Sequence, residues 1–513
     1  MSWTLKLDGQ VLPDRALIGG KAWSIARMLS LGLTVPPAFV VTTKACTAYQ
    51  DGGWPEGLDA EIADGLAWLE AQTGRTFDGS TPLLLSVRSG AAISMPGMMD
   101  TVLNLGISDQ TEAALAAESG EPGFARDTHR RFLELFASIV LRAPAHLEAG
   151  AEPATWRAQI EAASGQNVPL DPRAQLKAAV RAVFDSWNSR RARKYRQHNS
   201  IPDDLGTAVT IQAMVFGNLD EDSGTGVLFS RNPLSGERVP FGEYLPKAQG
   251  EDVVSGKFTP LRLEAMHERV RTAHDQLLAA SETLEQDSRD MQDIEFTVQK
   301  GKLYLLQARS AKRAPEAAVR CAVEMAEEGL IDRAEALARV SREQTLEILR
   351  PRLAVDSADT LTAIASGEGA CPGVASGVVV TTPDEAEARA RAGEAVVLAR
   401  ETTSPDDIHG MIAAKAIVTA QSGATSHAAV VSRALGRPCV VGCGGGVMAL
   451  AGQVVTVDGA GRVYAGTLPM IAPDANDHPW LSKLLAWAEA AGDTRYIAVP
   501  EAQDLAVLGT NHG

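Results

Sequence analysis

The 513-residue sequence predicts a multidomain protein of mixed α/β and α+β class. A chain of this length has room for two to four domains. Apolar runs typical of buried strands occur at 83–87 and 414–420, and an alternating strand pattern occurs at 208–215. Between 83–87 and 208–215, apolar residues recur at helical spacing across 108–203. The chain therefore combines strand-forming stretches with a helical region inserted between them.

Composition restricts the class of protein. Apolar residues make up 45% and charged residues 22%, which is ordinary for a globular chain. The net charge of −16 argues against a nucleic-acid partner, because phosphate binding needs a basic surface. The 5 cysteines show no CxxC spacing and predict reduced thiols in a cytoplasmic protein. No signal-peptide pattern and no apolar run near about 18 residues is found, so no membrane segment is expected.

The first candidate phosphate contact is Lys21, in the segment 17–24 (LIGGKAWS). A Gly-Gly-Lys turn that opens a helix could bring an ammonium group to a phosphate. The same turn often simply begins a helix, and no complete Walker A motif accompanies it. The pattern predicts a helix that continues to Leu31 and a strand over Ala38–Thr42.

The second candidate is the segment 88–100 (RSGAAISMPGMMD), which follows the predicted strand Leu83–Val87. A cation at the end of a strand, followed by a loop rich in Gly, Ser and Met, suits a mobile cover over a polyphosphate. Composition alone equally allows an ordinary methionine-containing loop folded onto the core.

The region 108–203 is predicted to be helical, with apolar residues at helical spacing over Phe132–Leu141 and Leu176–Trp187. The basic run Ser189–His198 is interpreted as a solvated helix face. An alternating strand is predicted over Ala208–Val215 and is followed by a polar loop. We interpret the helical region as an insertion within a single larger fold.

A β-hairpin is predicted over 293–309, with its turn at Lys300-Gly301. Alternation brings two carboxylates to one face of the first strand, and an amide and a guanidinium to one face of the second. Oxygen ligands suit Mg²⁺, and a planar guanidinium suits a phosphate in transfer. The alternative is a charged hairpin face turned to solvent. The four residues are Asp293, Glu295, Gln307 and Arg309.

The chain after residue 313 divides into four predicted segments. A helical pattern covers 314–340 and a linker is predicted over 350–369. A further domain is predicted over 370–466. The tail 467–513 holds one amphipathic stretch around Trp480–Ala491.

The motif 421–431 (QSGATSHAAVV) contains His427. The apolar run 414–420 predicts a buried strand before it, and a short helix is predicted over Ala428–Leu435, closed by Gly436. This order places the histidine at a helix N-terminus, with Thr425 or Ser426 available as the N-cap.

This position suits a histidine that is itself phosphorylated. A phosphate on the His427 imidazole would face free backbone N–H groups and the positive end of the helix dipole. A neutral imidazole is a competent nucleophile near pH 7, because its ordinary pKa is about 6.5. A helix-capping or core histidine is the alternative.

The motifs resemble those of the pyruvate phosphate dikinase family. In the predicted C-terminal domain the similarity covers 401–408 (ETTSPDDI), 425–433 (TSHAAVVSR) and 436–444 (GRPCVVGCG). Ser422 departs from a glycine that is usual in the family, but the residue stays small. Before the predicted linker the similarity covers 86–106, 242–245 (GEYL), 248–254 (AQGEDVV), 291–296 (MQDIEF) and 301–309 (GKLYLLQAR).

The resemblance implies an ATP-grasp nucleotide-binding domain over 1–349, with the helical insertion at about 108–203, and a swivelling α/β phosphohistidine domain after the linker. It implies ATP and Mg²⁺ as cofactors, His427 as phosphocarrier and catalytic residue, and Thr425 as a regulatory residue that is phosphorylated to switch the enzyme off. It also implies that Arg309 is catalytic, and that Glu295 and Gln307 bind the metal. The residues implied at the nucleotide are Lys21, Arg88, Gly97, Met99, Gln212, Met214, Val215, Glu251, Asp293, Glu295, Gln307 and Arg309.

Family members continue into a TIM barrel that binds pyruvate and needs roughly 250 residues. The tail 467–513 is too short for it, which leaves three explanations: a separate barrel polypeptide, a different acceptor, or a regulator that only binds ATP. We expect β-phosphoryl transfer from ATP to His427, with the γ-phosphate passing to inorganic phosphate and pyruvate as the first acceptor to test. The alternatives are a phosphotransferase for another small molecule and a nucleotide-responsive scaffold. The sequence does not determine the oligomeric state.

Overall fold

The computed structural model describes residues 2–93, 95, 99–254, 258–349, 352–353, 362–471, 473–493 and 495. Helices and strands are mixed throughout this part of the chain, which confirms the predicted fold class. The helices are α1 Arg15–Ser30, α2 Thr43–Gly52, α3 Leu58–Thr73, α4 Asp109–Ser119, α5 Pro122–Ile139, α6 Pro153–Ser164, α7 Pro172–Ser186, α8 Arg190–His198, α9 Gly250–Val254, α10 Glu264–Arg269, α11 Arg271–Ser288, α12 Pro315–Glu327, α13 Arg333–Arg339, α14 Arg342–Ile348, α15 Pro383–Arg391, α16 Ile408–Ala413, α17 His427–Leu435 and α18 Pro479–Ala491.

The strands are β1 Thr4–Leu7, β2 Ala38–Val41, β3 Leu85–Gly90, β4 Thr101–Leu105, β5 Ala208–Ala213, β6 Gly224–Phe229, β7 Phe241–Pro246, β8 Leu261–Arg262, β9 Gln292–Gln299, β10 Lys302–Ser310, β11 Arg352–Leu353, β12 Ala365–Ser366, β13 Glu368–Cys371, β14 Val374–Val380, β15 Val396–Arg400, β16 Ala416–Thr419, β17 Cys439–Val441, β18 Val454–Asp458, β19 Arg462–Ala465 and β20 Met470–Ile471.

The chain forms two units. The first contains Met1–Thr225, Pro246–Gln249 and Glu295–Ala308, and the second contains Gly226–Leu245, Gly250–Ile294 and Arg309–Gly513. The division passes within strands β6, β7, β9 and β10, so the chain runs from one unit to the other several times.

The first unit is built on an antiparallel sheet with the order β1-β2-β5-β3-β4. Its central strand β5 is buried on both faces. The alternating exposure predicted over Ala208–Val215 is therefore wrong, because a central strand covered on both sides has no solvent face. Large apolar side chains such as Phe39, Val87 and Ile211 form the core of this unit.

Helices α4 to α8 fill the stretch between β4 and β5, as the helical pattern over 108–203 predicts. Phe132 and Phe136 of α5 are fully buried. The interpretation of 189–198 as a solvated helix face is wrong for Arg196, which is completely buried on α8. Its guanidinium lies 4.1 Å from the centroid of the Trp187 ring and its Nε donates to Asp203 at 2.7 Å, so this cation stabilises the fold.

The predicted hairpin is confirmed as β9 and β10, in a second five-stranded sheet with the order β10-β9-β6-β7-β8. The turn residues Lys300 and Gly301 both have positive φ, at 50° and 73°. Two consecutive left-handed residues give the type I′ turn, whose twist matches that of the strands it joins.

The second unit contains an eight-stranded sheet with the order β12-β19-β18-β14-β15-β16-β17-β13. Strands β14 to β17 are parallel neighbours, and the flanking pairs are antiparallel. This parallel centre matters for function, since loops at the carboxyl ends of parallel strands commonly carry sites.

The C-terminal amphipathic stretch forms α18, which packs on α12. Lys483 pairs with Glu327 at 2.6 Å, and the Arg320 guanidinium lies 4.3 Å from the Trp480 ring centroid. Residues 354–361 of the predicted linker lie outside the described residues, and the sheet of the second unit already begins at Ala365. No described helix combines the length and the apolar character needed to cross a membrane.

Candidate functional site

Lys21 lies just after a break in α1. Gly19 adopts φ 76° and ψ 161°, so the helix is interrupted there and Lys21 falls at the start of its second segment. A Cβ on Gly19 would lie 1.9 Å from the carbonyl oxygen of Gly90, and the Gly20 N–H donates to Ala91 O at 2.8 Å. The two glycines thus let α1 approach the end of β3 closely and bring Lys21 beside it. The predicted helix is correct, but it begins earlier, at Arg15.

Arg88 connects its own strand β3 to residues of three others, β5, β9 and β10. It lies within β3 rather than after its end, which corrects the predicted strand Leu83–Val87. Its Nη2 donates to Glu295 Oε2 at 3.0 Å, and its Nη1 lies 3.4 Å from both Gln212 Oε1 and the Leu306 carbonyl oxygen. The side chain is largely buried, so its orientation is fixed by these partners.

Gln212, Met214 and Val215 are three of the residues that the resemblance implies at the nucleotide. The Gln212 side chain is buried and already engaged, since its Nε2 donates to Pro36 O at 3.0 Å and its Oε1 faces Arg88. Met214 and Val215 follow the end of β5 and are half-buried. Gln212 is therefore placed to orient Arg88, whereas the Met214 N–H after it donates to Leu84 O at 2.9 Å.

The hairpin carries the expected charged pair. Arg309 Nε donates to Asp293 Oδ2 at 2.8 Å, and only 4% of the Asp293 side chain is exposed. A purely solvated face, the alternative considered for this hairpin, does not fit a carboxylate buried to this degree. Glu295 and Gln307 lie two residues further toward the turn on their strands.

Glu295 and Gln307 fit a magnesium ion by their chemistry. A carboxylate and an amide oxygen are the hard oxygen donors that Mg²⁺ binds, usually together with phosphate oxygens and water. Glu295 keeps 31% of its side chain exposed while it pairs with Arg88, so the carboxylate remains accessible. Asp293 is instead engaged with Arg309.

Three further residues are implied at the nucleotide, Gly97, Met99 and Glu251. Met99 is half-buried, and Gly97 lies outside the described residues. Glu251 belongs to the short helix α9, and its side chain is likewise outside the described part of the structure.

His427 is the first residue of α17, and the loop before this helix leaves the carboxyl end of the parallel strand β16. Gly436 ends the helix in the left-handed conformation, with φ 61°. Ser426 occupies the predicted N-cap position, but its side chain makes no capping hydrogen bond. Its hydroxyl is buried and has no hydrogen-bond partner among the described residues.

Burial keeps the His427 imidazole neutral, and a contact with Thr403 fixes the orientation of the ring. Burial lowers its pKa to about 4, against a smaller opposite effect of Asp407. Its Nδ1 lies 3.2 Å from the Thr403 hydroxyl, while its Nε2 is buried and meets no hydrogen-bond partner in the described part of the chain. With Nδ1 engaged, Nε2 is the nitrogen that can act as a nucleophile.

Two unpartnered polar atoms, Ser426 Oγ and His427 Nε2, therefore lie at the start of a nine-residue helix. Buried polar atoms normally have partners, so such a pair points to a group that completes the site. The N-terminus of a helix stabilises anions through its free N–H groups and its dipole. The arrangement fits a phosphoryl group on the imidazole.

Sequence reasoning missed three residues around this helix. Thr403 contacts the imidazole from 24 residues away in sequence. Glu243 accepts a hydrogen bond from Thr425 across 182 residues. Arg433 is buried, and its Nη1 donates to the carbonyl oxygens of Ala424 and Ala370, at 3.0 Å each. Thr403, Glu243 and Arg433 all lie in stretches that carry the family resemblance, but no local pattern marks their contacts.

Two family models match the chain. The model described as "Pyruvate phosphate dikinase, AMP/ATP-binding domain" matches residues 50–273 and 268–330, and "PEP-utilising enzyme, mobile domain" matches residues 392–461. The first match ends before the loop of His427, and the second contains it.

Curated relatives agree with both matches. "Pyruvate, phosphate dikinase 1, chloroplastic" of Zea mays is 43% identical over 97% of this chain and 57% of its own length. "Pyruvate, phosphate dikinase" of Rhizobium meliloti (strain 1021) is 41% identical over 93% of this chain and 59% of its own length. The chain thus spans less than two thirds of the length of these relatives.

Proposed function

Because this chain belongs to the pyruvate phosphate dikinase family, we propose that it phosphorylates its own His427 from Mg·ATP and passes the phosphoryl group onward. In this proposal a nucleotide-binding domain spans 1–349, and a phosphohistidine domain spans 370–466 and swivels on the linker 350–369. The observation that carries the proposal is the neutral imidazole at the start of α17, whose buried Nε2 lacks a hydrogen-bond partner among the described residues.

The reaction balances as follows. The lone pair of His427 Nε2 forms a bond to the β-phosphorus of ATP, and the bond between the β-phosphorus and the oxygen of the α-phosphate breaks to release AMP. Inorganic phosphate then takes the γ-phosphate as pyrophosphate, which leaves the β-phosphoryl group on the histidine. A hydrogen bond between Nδ1 and Thr403 holds the ring throughout.

The hairpin β9–β10 would bind the nucleotide together with Lys21 of α1 and Arg88 of β3. Lys21, Arg88 and Arg309 supply positive charge for the phosphates, and Asp293 orients Arg309. Glu295 and Gln307 would hold Mg²⁺, which neutralises phosphate charge when bound. The segment Met214–Val215, with Gly97, Met99 and Glu251, would complete the nucleotide contacts in this proposal.

The acceptor we propose is pyruvate, bound to a barrel of the type found in the family. That barrel would belong either to a longer form of this polypeptide or to a separate chain. We place the reaction in the cytoplasm, because all five cysteines are free thiols.

Thr425 is proposed as a regulatory residue. Its hydroxyl already contacts the carboxylate of Glu243. A phosphate on Thr425 would place two negative groups against each other, two residues from the reacting histidine. Phosphorylation at this residue would therefore oppose the reactive arrangement of the loop.

The test replaces His427 with Ala and measures both ATP binding and covalent labelling. We expect the variant to bind ATP with wild-type affinity but to lose all acid-labile, base-stable label, since the imidazole is the acceptor and does not bind the nucleotide. His409→Ala is the matched control, because this histidine lies in the same predicted domain and bonds to Asp384 instead. Label retained in His427→Ala, or lost in His409→Ala, would refute the assignment.

A further inference from the structure

Two histidines meet on the surface of the second unit, where helices α10 and α11 adjoin. His267 lies on the last turn of α10, and His274 lies on the first turn of α11. Their ring centroids are 5.0 Å apart, with the ring planes at 79°. Asp275 adds a carboxylate, and its Oδ1 lies 3.2 Å from His274 Nδ1. Two imidazoles and a carboxylate therefore come together outside the site described above.

The break between the two helices makes this meeting possible. In one continuous helix, residues seven positions apart would be separated by about 10.5 Å along the axis. Val270 instead has φ −136° and ψ 59°, so α10 ends and α11 starts at this residue. Val270 is buried, its N–H donates to Met266 O at 2.8 Å, and its carbonyl oxygen accepts from the His274 N–H at 3.0 Å. The backbone thus brings the two histidines together.

The three side chains are close enough to bind one ion. Each offers one ligand atom, and no two of these atoms are more than 4.8 Å apart. Around a tetrahedral zinc ion, with bonds of about 2.0–2.2 Å, ligand atoms lie about 3.4 Å from one another. His267 and Asp275 are exposed, so rotation of their side chains can supply this small approach. His274 has only 12% of its side chain exposed, so its ring is the fixed point of the set.

Arg271 is a competing partner for the carboxylate. Its Nε lies 3.9 Å from Asp275 Oδ2, and 75% of the arginine side chain is exposed. An ion pair this exposed contributes little to stability, because water screens it and both side chains lose freedom when they pair. The arginine therefore does not prevent Asp275 from binding a cation.

We propose that His267, His274 and Asp275 bind Zn²⁺ or another transition-metal dication of the same class. Imidazole nitrogen suits these ions, whereas Mg²⁺ takes oxygen ligands. The set is thus chemically distinct from Glu295 and Gln307, which the proposed function assigns to Mg²⁺. Three protein ligands leave a fourth position for water. The bound ion fixes α10 against α11 and stabilises the folded protein. This inference does not depend on the proposed function.

The zinc affinity of the nucleotide-free protein tests the site. Wild type, H267A, H274A and D275N are titrated with Zn²⁺ in competition with a chromophoric chelator. We expect each histidine variant to bind Zn²⁺ at least about tenfold more weakly, because loss of an outer partner of a metal ligand already costs about 10–100-fold. D275N should have a smaller effect, since an amide oxygen remains.

His409→Ala is the matched control for the titration. This histidine also faces a carboxylate, with its Nε2 2.9 Å from Asp384 Oδ1, but it belongs to no three-ligand cluster among the described residues. The variant should bind Zn²⁺ like wild type.

Thermal unfolding supplies a second readout. Zn²⁺ in excess over its Kd should raise the Tm of wild type, because a ligand that binds only the folded protein stabilises it. The same excess should raise the Tm of H267A less, and Mg²⁺ should not reproduce the effect in either protein.

The exposed histidine gives the deciding comparison. H267A replaces a surface side chain, so its fold should be retained even if H274A, a half-buried position, unfolds. Equal zinc affinity of wild type and H267A would overturn the site, whatever H274A shows. Absence of zinc binding by wild type, or an equal loss in His409→Ala, would overturn it as well.

Discussion

At the scale of single residues, the chemistry of the site follows from how His427 is surrounded. Burial keeps the imidazole neutral, the Thr403 hydroxyl engages Nδ1, and the helix begins at the histidine itself. Each condition favours attack by Nε2 on an electrophilic phosphorus. Together they explain why this histidine, unlike the carboxylate-bonded His409, is suited to carry a phosphoryl group.

The pKa of His427 gives a prediction at this scale. We expect it to titrate near pH 4 in ¹⁵N-histidine NMR spectra, with the signal assigned by its loss in His427→Ala. Because the folded pKa lies below the ordinary value, the unfolded chain binds the proton more readily. This histidine therefore lowers the free energy of unfolding as the pH falls from about 6.5 toward 4, and has no such effect above that range. A titration midpoint near 6.5 would show that the ring is hydrated.

Local sequence was enough to predict that His427 lies at the start of a helix, because the strand, loop and helix around it are contiguous. Local sequence was not enough to predict the contact of Thr403 with His427 or that of Glu243 with Thr425. Thr403 lies 24 residues before the histidine, and Glu243 lies 182 residues before Thr425. Such contacts depend on tertiary packing, which a period of 2 or 3.6 residues does not encode.

At the scale of secondary-structure elements, the hairpin β9–β10 holds four of the residues that the proposed function assigns to the nucleotide. Alternation along its strands was predicted from sequence, and the pairing of Asp293 with Arg309 agrees with it. Strand burial was predicted less well. Arg88 lies inside β3, and β5 is buried on both faces, because the neighbours that cover a strand are remote in sequence.

The hairpin gives a prediction of its own. Arg309→Ala should leave His427 intact but slow its labelling by about 2–4 kcal/mol in barrier terms, because the proposed function requires this guanidinium to stabilise the phosphates. Lys302→Ala is the control, since this cation is exposed at the start of the same strand and stacks on Tyr304. The measurement is the single-turnover labelling rate. Equal rates in wild type and Arg309→Ala would mean that the hairpin does not act on ATP.

At the scale of the whole molecule, the fold class and the family were accessible from sequence. The motifs of the family are long, and they lie where strands end and helices begin. Domain limits were harder to derive, since the chain returns to each unit several times and the division falls inside strands. Prediction from sequence places domain boundaries between secondary-structure elements. In the structure one boundary falls within β9, with Asp293 in the second unit and Glu295 in the first.

The central claim is that His427 receives the β-phosphoryl group of ATP. The most direct measurement incubates the protein with phosphate and either [β-³²P]ATP or [γ-³²P]ATP, maps the labelled residue, and identifies the released nucleotide. The account predicts acid-labile label on His427 from the β-labelled nucleotide only, with AMP released and the γ-label recovered in pyrophosphate. Stable label from the γ-position with ADP as the product, or label on a residue other than His427, would contradict it.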